Sequence, residues 1–414
     1  MTTTTPQLLP YLERLLNGET VEWKTLGEVC LVQRGASPRP IANYLTSSSD
    51  GIPWIKIGDT KVGSKYIEST QERITIEGAQ RSRQLSAGDF ILSNSMSYGR
   101  PYILKIDGAI HDGWASLSEI SSSILSDYLF YFLSSSKVQM YWEGKINSGS
   151  VSNLNADIIK ALPIPIPPLR VQARIVEILD KFTQLEAELE AELEARNKQY
   201  DFYRNRLLSG PLPHSPNIPH QWEQVPLGSI GEVRMCKRIL KQDTTETGEI
   251  PFYKIGTFGK SADAFISRTL FEEYKQKYAY PRIGDILISA SGTIGRAIEF
   301  DGQDAYFQDS NIVWLEHDDS KVLNRFLYYC YQIADWKVSK GGTIARLYND
   351  NIKKTLIPLP PLSEQRRIVE ILDRFDMLTN SISEGLPREI ALRRKQYEYY
   401  RDALLRFPQP APTT

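Results

Sequence analysis

PPLRVQARIVEILDKF (Pro167 to Phe182) returns later in the chain as PPLSEQRRIVEILDRF (Pro360 to Phe375). From Ile164 to Phe182, 14 of 19 positions match their counterparts from Ile357 to Phe375. Beyond each copy comes a second shared string, KQYDFYRNRLL (Lys198 to Leu208) and then KQYEYYRDALL (Lys395 to Leu405). The chain is therefore two copies of one unit, and any function belongs to a two-fold object.

After Pro168 the apolar positions run Ile175, Ile178, Phe182, Leu185, Leu189, Leu193, Tyr200, Tyr203 and Leu207. This 3-4 spacing predicts a coiled-coil helix of about 38 residues, roughly 57 Å long. It shifts once, at a tandem EAEL (Glu186 to Leu189, Glu190 to Leu193). Each such unit adds about 6 Å and little rotation. The second copy repeats the pattern through Ile368, Ile371, Phe375, Leu378, Tyr397, Tyr400 and Leu404, but Gly385 and Pro387 in SEGLPREI predict a kink or break. With a folded domain between them, the two helices are expected to pack antiparallel.

The regions ahead of the helices also match. IPWIKIG (Ile52 to Gly58) answers IPFYKIG (Ile250 to Gly256), and GDFILSNSMSYGR (Gly88 to Arg100) answers GDILISASGTIGR (Gly284 to Arg296). WKTLGEV (Trp23 to Val29) is set against WEQVPLGSIGEV (Trp222 to Val233). Short β-branched and aromatic runs bounded by Gly, Pro, Ser and Asp predict strands. The expected class is α+β: two pseudo-repeated, strand-rich domains separated by two long antiparallel coiled-coil helices. The expected segments are an amphipathic helix in 1–22, domains at 23–165 and 211–358, helical repeats at 166–210 and 359–407, and a disordered tail at 408–414. PIPIPPL (Pro163 to Leu169) and PLPPL (Pro358 to Leu362) predict stiff extended joints. The helix predicted within Pro6 to Gly18 is expected to pack near the C-terminal helix or on a partner.

At 414 residues, with 41% hydrophobic and 24% charged side chains, the chain has enough material for two or three cores. Its first residues lack the basic and apolar regions of a signal peptide, no apolar run reaches membrane-helix length, and the expected location is the cytoplasm. Cys30, Cys236 and Cys330 are odd in number and widely spaced, which predicts buried free thiols and neither a disulfide framework nor a metal site. The formal net charge of -1 lacks the basic excess usual for DNA binding. Part of the acidity is local, however: Glu186, Glu188, Glu190, Glu192 and Glu194 fall on one predicted helix, so a basic face elsewhere is compatible with a neutral total.

Motifs for chemistry are missing. There is no (N/D)PP(Y/F) string, no GxGxxG after an early strand and no HExxH. GTFGKS (Gly256 to Ser261) has two residues between its glycines where a phosphate loop needs four, and GTIGR (Gly292 to Arg296) reads as a turn. Asp89 and Asp285 lack the partner acid or lysine of a nuclease site. No catalytic residue, no metal ligand and no cofactor site is expected in this chain.

The strings QARIVEILDKF, QRRIVEILDRF and the two KQY segments resemble the repeats of the specificity subunit of type I restriction-modification enzymes. The likeness covers essentially the full length, and the EAEL tandem is similar to the spacer repeat of IC-type members. The resemblance implies a non-catalytic subunit whose two target-recognition domains each read one half of a split, asymmetric double-stranded DNA site, with the helices fixing the gap. It also implies two methyltransferase subunits carrying S-adenosylmethionine and forming N6-methyladenine, and two motor-nuclease subunits using ATP and Mg.

Comparing the two halves sorts DNA-contact candidates. Side chains shared between domains suit fold or phosphate anchoring, and those that differ suit base reading. The shared set is Lys56 with Lys254, Ser95 with Ser291, and Arg100 with Arg296. The differing set is Arg34 and Arg39 against Lys237, Arg238 and Lys241, with Tyr98 and His111, and the turns bearing Ser150 and Asn153, or Thr343 and Arg346; Thr293 lies in the GTIGR turn. For partner docking the candidates are Gln172, Arg174, Tyr200, Tyr203, Gln365, Arg367, Tyr397 and Tyr400, a surplus over what a two-helix seam buries. Two other readings compete: a self-contained DNA-modifying enzyme, and a coiled-coil scaffold binding proteins.

Overall fold

Proline-rich segments avoid sheets because proline has no amide hydrogen to donate, yet PIPI forms a strand. Pro163–Ile166 pairs antiparallel with Glu22–Thr25, and Leu356–Pro358 pairs likewise with Gln224–Pro226. Most of the first expected joint, and only Pro358 of the second, thus lies in a two-stranded ribbon that closes each domain on its own beginning. The computed structural model describes residues 9–60, 63–94, 99–147, 154–210, 221–338, 346–381 and 383–408.

The chain divides into two compact units, Met1–Leu189 with Ile390–Thr414, and Glu190–Glu389. One division falls between the two EAEL copies. Each unit thus joins one strand-rich domain to the first part of its own helical repeat and the last part of the other.

In the first unit, one five-stranded sheet runs Leu45–Thr46, Glu72–Ile74, Ile52–Ile55, Gly108–Ile110, Arg83–Leu85; the other runs Leu31–Arg34, Trp114–Ser118, Phe90–Ser93, Pro101–Leu104, Tyr66–Ile67. The second unit keeps smaller versions: Gly231–Arg234, Ile312–His317, Ile286–Ser289, Ala297–Glu299, and Phe265–Ile266, Ile250–Tyr253, Tyr306–Phe307. In both, the IPxxKIG strand pairs parallel with the later short strand. The structure corrects one register. Leu26 donates its amide to Leu162 and Leu227 to Thr355, while Gly27 and Gly228 each leave room for the lysine at Lys160 and Lys353, 3.0 Å from where a Cβ would stand. LGEV (Leu26 to Val29) therefore matches LGSI (Leu227 to Ile230), although WKTLGEV and WEQVPLGSIGEV both end on GEV, and Arg34 corresponds to Met235.

The GD pairs prove to be turn devices. Gly88 and Gly284 sit at φ of 99° and 87°, the left-handed region open to glycine. Asp89 accepts the amide of Ser86 at 2.9 Å, and Asp285 that of Arg282 at 2.8 Å. Burial pushes both carboxyls up from their ordinary value.

The first long helix is continuous from Leu169 to Ser209, 41 residues. Its counterpart is broken into Leu362–Asn380 and Leu386–Leu404. Gly385 explains the break, since a Cβ there would lie 2.4 Å from the Met377 carbonyl oxygen. Within the first unit, Phe182 stacks on Tyr400 and Glu186 meets Arg394 at 2.6 Å; rising numbers on one helix meet falling numbers on the other, which is antiparallel packing. Within the second, Tyr203 stacks on Phe375. The N-terminal helix Pro10–Leu16 places Leu12 and Leu16 in one core with Leu404, Leu405 and Phe407. The equivalent core of the second unit takes in Tyr200, Leu207 and Leu208. All three cysteines are buried and free, and burial pushes the Cys30 and Cys236 thiols up to about 12.

Candidate nucleic-acid interface

In both domains the loop after the first sheet strand returns to the segment after the short parallel strand. In the first unit Arg39 meets Asp112 at 3.2 Å, Ser37 donates to the same carboxylate at 2.8 Å, and Arg34 donates to the Asp112 carbonyl at 3.3 Å. The Ser37 hydroxyl, ahead of smaller effects, holds the Asp112 carboxyl below its ordinary value. His111 lies beside it, its Nδ1 accepting the Gly113 amide at 2.9 Å. Burial lowers its pKa, and a ring that accepts on Nδ1 carries its proton on Nε2.

The second unit repeats this arrangement around a hollow. A cavity of about 770 Å³ is lined by Arg238, Lys241, Lys254, Gln308, Asp309, Asn311 and Arg346, among others. Arg238 Nε donates to Asp309 at 2.9 Å, and Lys254 pairs with Asp263 at 2.8 Å as Lys56 does with Glu72 at 2.5 Å. Arg346 donates to the Ser310 hydroxyl at 2.8 Å. Four expected contact residues, Arg238, Lys241, Lys254 and Arg346, therefore converge on one concave surface. Lys237 is exposed next to it.

The remaining candidates separate. Arg100 and Arg296 are both exposed, each after a glycine at positive φ, Gly99 and Gly295; Arg296 donates to the Phe258 carbonyl at 2.9 Å. Thr293 is exposed, but its carbonyl accepts the Ser289 hydroxyl. Ser291 is buried and donates to Asn311 at 2.8 Å, which corrects its assignment as a ligand contact: it fixes the loop. Ser95, Tyr98, Ser150, Asn153 and Thr343 lie outside the described residues.

Gln172 and Gln365, expected to meet partners, are fully buried. Gln172 accepts the Leu125 amide at 2.9 Å and donates to the Ser123 and Pro167 carbonyls, each at 2.8 Å. Gln365 makes the same three bonds to Leu323, Lys321 and Pro360. The repeated glutamine is thus an internal clamp between helix and domain. Tyr200 is buried as well and donates to Gln332 at 3.1 Å, while Tyr203 and Tyr397 are half-buried. Arg174 binds Tyr11 and Glu177, and Arg367 binds Glu364. Among these repeats Tyr400 retains 38% exposure.

The aromatics turned outward are others. Phe202 is 64% and Tyr399 65% exposed, and they occupy the same place in KQYDFY and KQYEYY. Their signal was in the sequence: they are the aromatic positions of the string that the 3-4 apolar spacing leaves out.

The described residues hold no cluster of His, Cys, Asp and Glu able to bind a metal ion, and none of their helices is long and apolar enough to cross a membrane. The family described as the type I restriction modification DNA specificity domain matches residues 18–195 and again 219–392. The chain belongs to this family. It is 45% identical, over 96% of its length and 98% of the relative's, to a putative type I restriction enzyme specificity subunit of Haemophilus influenzae. It is 32% identical, over 97% and 98%, to a type I restriction enzyme specificity subunit of Escherichia coli. Among solved structures, a chain from a type I R-M system aligns over 97% of this chain with a TM-score of 0.65 at 20% identity. The specificity subunit of Thermoanaerobacter tengcongensis aligns over 99% with 0.53 at 20%. At that identity the likeness speaks for the fold.

Proposed function

We propose that this chain is the DNA specificity subunit of a type I restriction-modification complex and has no catalytic role of its own. The observation that carries the reading is the twice-matched family domain, each copy presenting cationic side chains on the loops around its short parallel strand. Each domain reads one half of a bipartite duplex target. Exposed Lys and Arg supply phosphate contacts, and side chains that differ between the domains read base edges. The helical segments set the gap, because two modest half-site affinities combine only when the spacing lets both domains engage at once.

Partner subunits supply the chemistry: two methyltransferase subunits bring S-adenosylmethionine, and two motor-nuclease subunits bring ATP and Mg. Phe202 and Tyr399 are the aromatic anchors on which the methyltransferase docks, since exposed rings at equivalent positions suit two copies of one partner. The test is to express the chain with its methyltransferase partner and map N6-methyladenine across the host genome. The expected result is one motif of two defined blocks separated by a fixed unspecified gap; a single continuous motif would overturn the reading.

A further inference from the structure

We propose that Arg238 reads a guanine in the half-site of the second domain, with Asp309 as its positioning residue. This rests on the DNA-specificity reading above and goes further, to one side chain and one base. The argument begins with the anchor. Asp309 lies in a segment tied on both sides: Gln308 donates its amide to Tyr253 and accepts the Ile255 amide on its side-chain oxygen at 3.0 Å. Ser310, at a φ of 53°, is gripped by Arg346 at 2.8 Å, and Asn311 by Ser291 at 2.8 Å. The Asp309 side chain is accordingly only 18% exposed.

Arg238 is the opposite, 66% exposed at the wall of the cavity. Its bond to Asp309 uses Nε, so both terminal nitrogens remain as a planar fork. That fork matches guanine O6 and N7, the pair an arginine engages bidentately in the major groove. A fixed carboxylate on Nε removes much of the rotamer freedom such a contact otherwise loses. A phosphate can be met by lysine as a point charge, whereas the two acceptors of the guanine edge call for the planar fork.

The first domain builds a looser version. Asp112 takes a terminal nitrogen of Arg39, not Nε, and Arg39 is 82% exposed. Arg34 does give its Nε, but to the Asp112 backbone carbonyl at 3.3 Å, so among the candidate arginines the fork anchored by a carboxylate on Nε belongs to the second domain, as expected where two half-sites differ.

The test uses the whole chain with its methyltransferase partner, mapping modified sites for wild type, Arg238→Lys and Asp309→Ala. Arg238→Lys is expected to relax one guanine position in one half-site, with discrimination there falling roughly 5- to 150-fold, and to leave the other half-site and the gap unchanged. Asp309→Ala is expected to weaken preference at that same position alone, which a merely structural aspartate would not do. The proposal is overturned if Arg238→Lys lowers modification evenly over an unchanged motif, or if neither wild-type half-site contains a G·C pair. Absence of any two-block motif in the wild type would instead sink the DNA-specificity reading itself.

Discussion

Phe182 stacks on Tyr400 with ring centroids 5.4 Å apart and planes 22° from parallel. Their repeat counterparts, Phe375 and Tyr203, stack in the same way at 5.7 Å and 25°. In these two stacks the segment following IVEILD in each copy is paired with the KQY string of the other copy. An aromatic pair of this kind contributes about 0.5–1.5 kcal/mol beyond its buried area. A double-mutant cycle on Phe375→Ala and Tyr203→Ala, read by denaturant unfolding, is expected to give a coupling in that range. Additive losses would show that the two rings are mere neighbours.

The buried glutamines are expected to matter more than any surface charge. Gln365→Ala strands the Leu323 amide and two carbonyls, costing about 1–3 kcal/mol, and Gln172→Ala strands the matching groups of the other domain. Thermal unfolding should show the loss. Retained stability for either variant would mean that water replaces the clamp.

His111 makes the first domain pH-sensitive. Its folded pKa lies below its unfolded value because burial opposes the charge, so near pH 6 the unfolded chain binds more protons. Stability from this group is therefore full above the ordinary histidine range and falls as pH drops through it. Protonation of Nδ1 would also break the bond from the Gly113 amide. Between pH 7.5 and 5.5 the melting temperature of wild type is expected to fall further than that of His111→Gln; parallel curves would count against this.

Phe202→Ala and Tyr399→Ala change rings that are already solvated, so stability is expected to stay within about 0.5 kcal/mol of wild type. Binding of the methyltransferase subunit is expected to weaken by about 2 kcal/mol for each, measured by calorimetry or analytical ultracentrifugation. Unaltered assembly with both rings removed would send the search for the dock elsewhere.

The EAEL tandem gives a length prediction. Deleting Glu190 to Leu193 removes about 6 Å of helix, which corresponds to under two base pairs at about 3.4 Å each. The modified motif should keep both half-sites and shorten its gap. A gap of unchanged length would separate the helix from any role in spacing.

Much of this was legible in the repeat. Fourteen matching positions and the 3-4 spacing led to the doubled unit, the long helix and the break at Gly385. The failures share a cause: a repeated polar or aromatic residue marks a recurring contact without saying whether it faces inward. Gln172 and Gln365 look like surface residues because glutamine usually is one, and only tertiary packing shows the two carbonyls and the amide that each satisfies. The convergence of Arg238, Lys241, Lys254 and Arg346 was equally hidden, since three separate segments bring them together, Arg238 and Lys241 sharing one. The aspartate that orients Arg238 lies in a different loop again, with nothing in local sequence to join them.

The first unit has a consequence for synthesis. Its core needs Leu404, Leu405 and Phe407, the Trp23 indole donates to the Pro408 carbonyl at 3.0 Å, and the Ser136 amide donates to Asp402 at 3.1 Å. The N-terminal domain leaves the ribosome first yet cannot be completed until the last helix follows, whereas the second unit is whole as soon as residue 389 has emerged. Translation order and completion order are thus reversed, and a nascent chain or a C-terminally truncated product exposes the apolar wall of its first-made domain to whatever chaperone or protease surveys it.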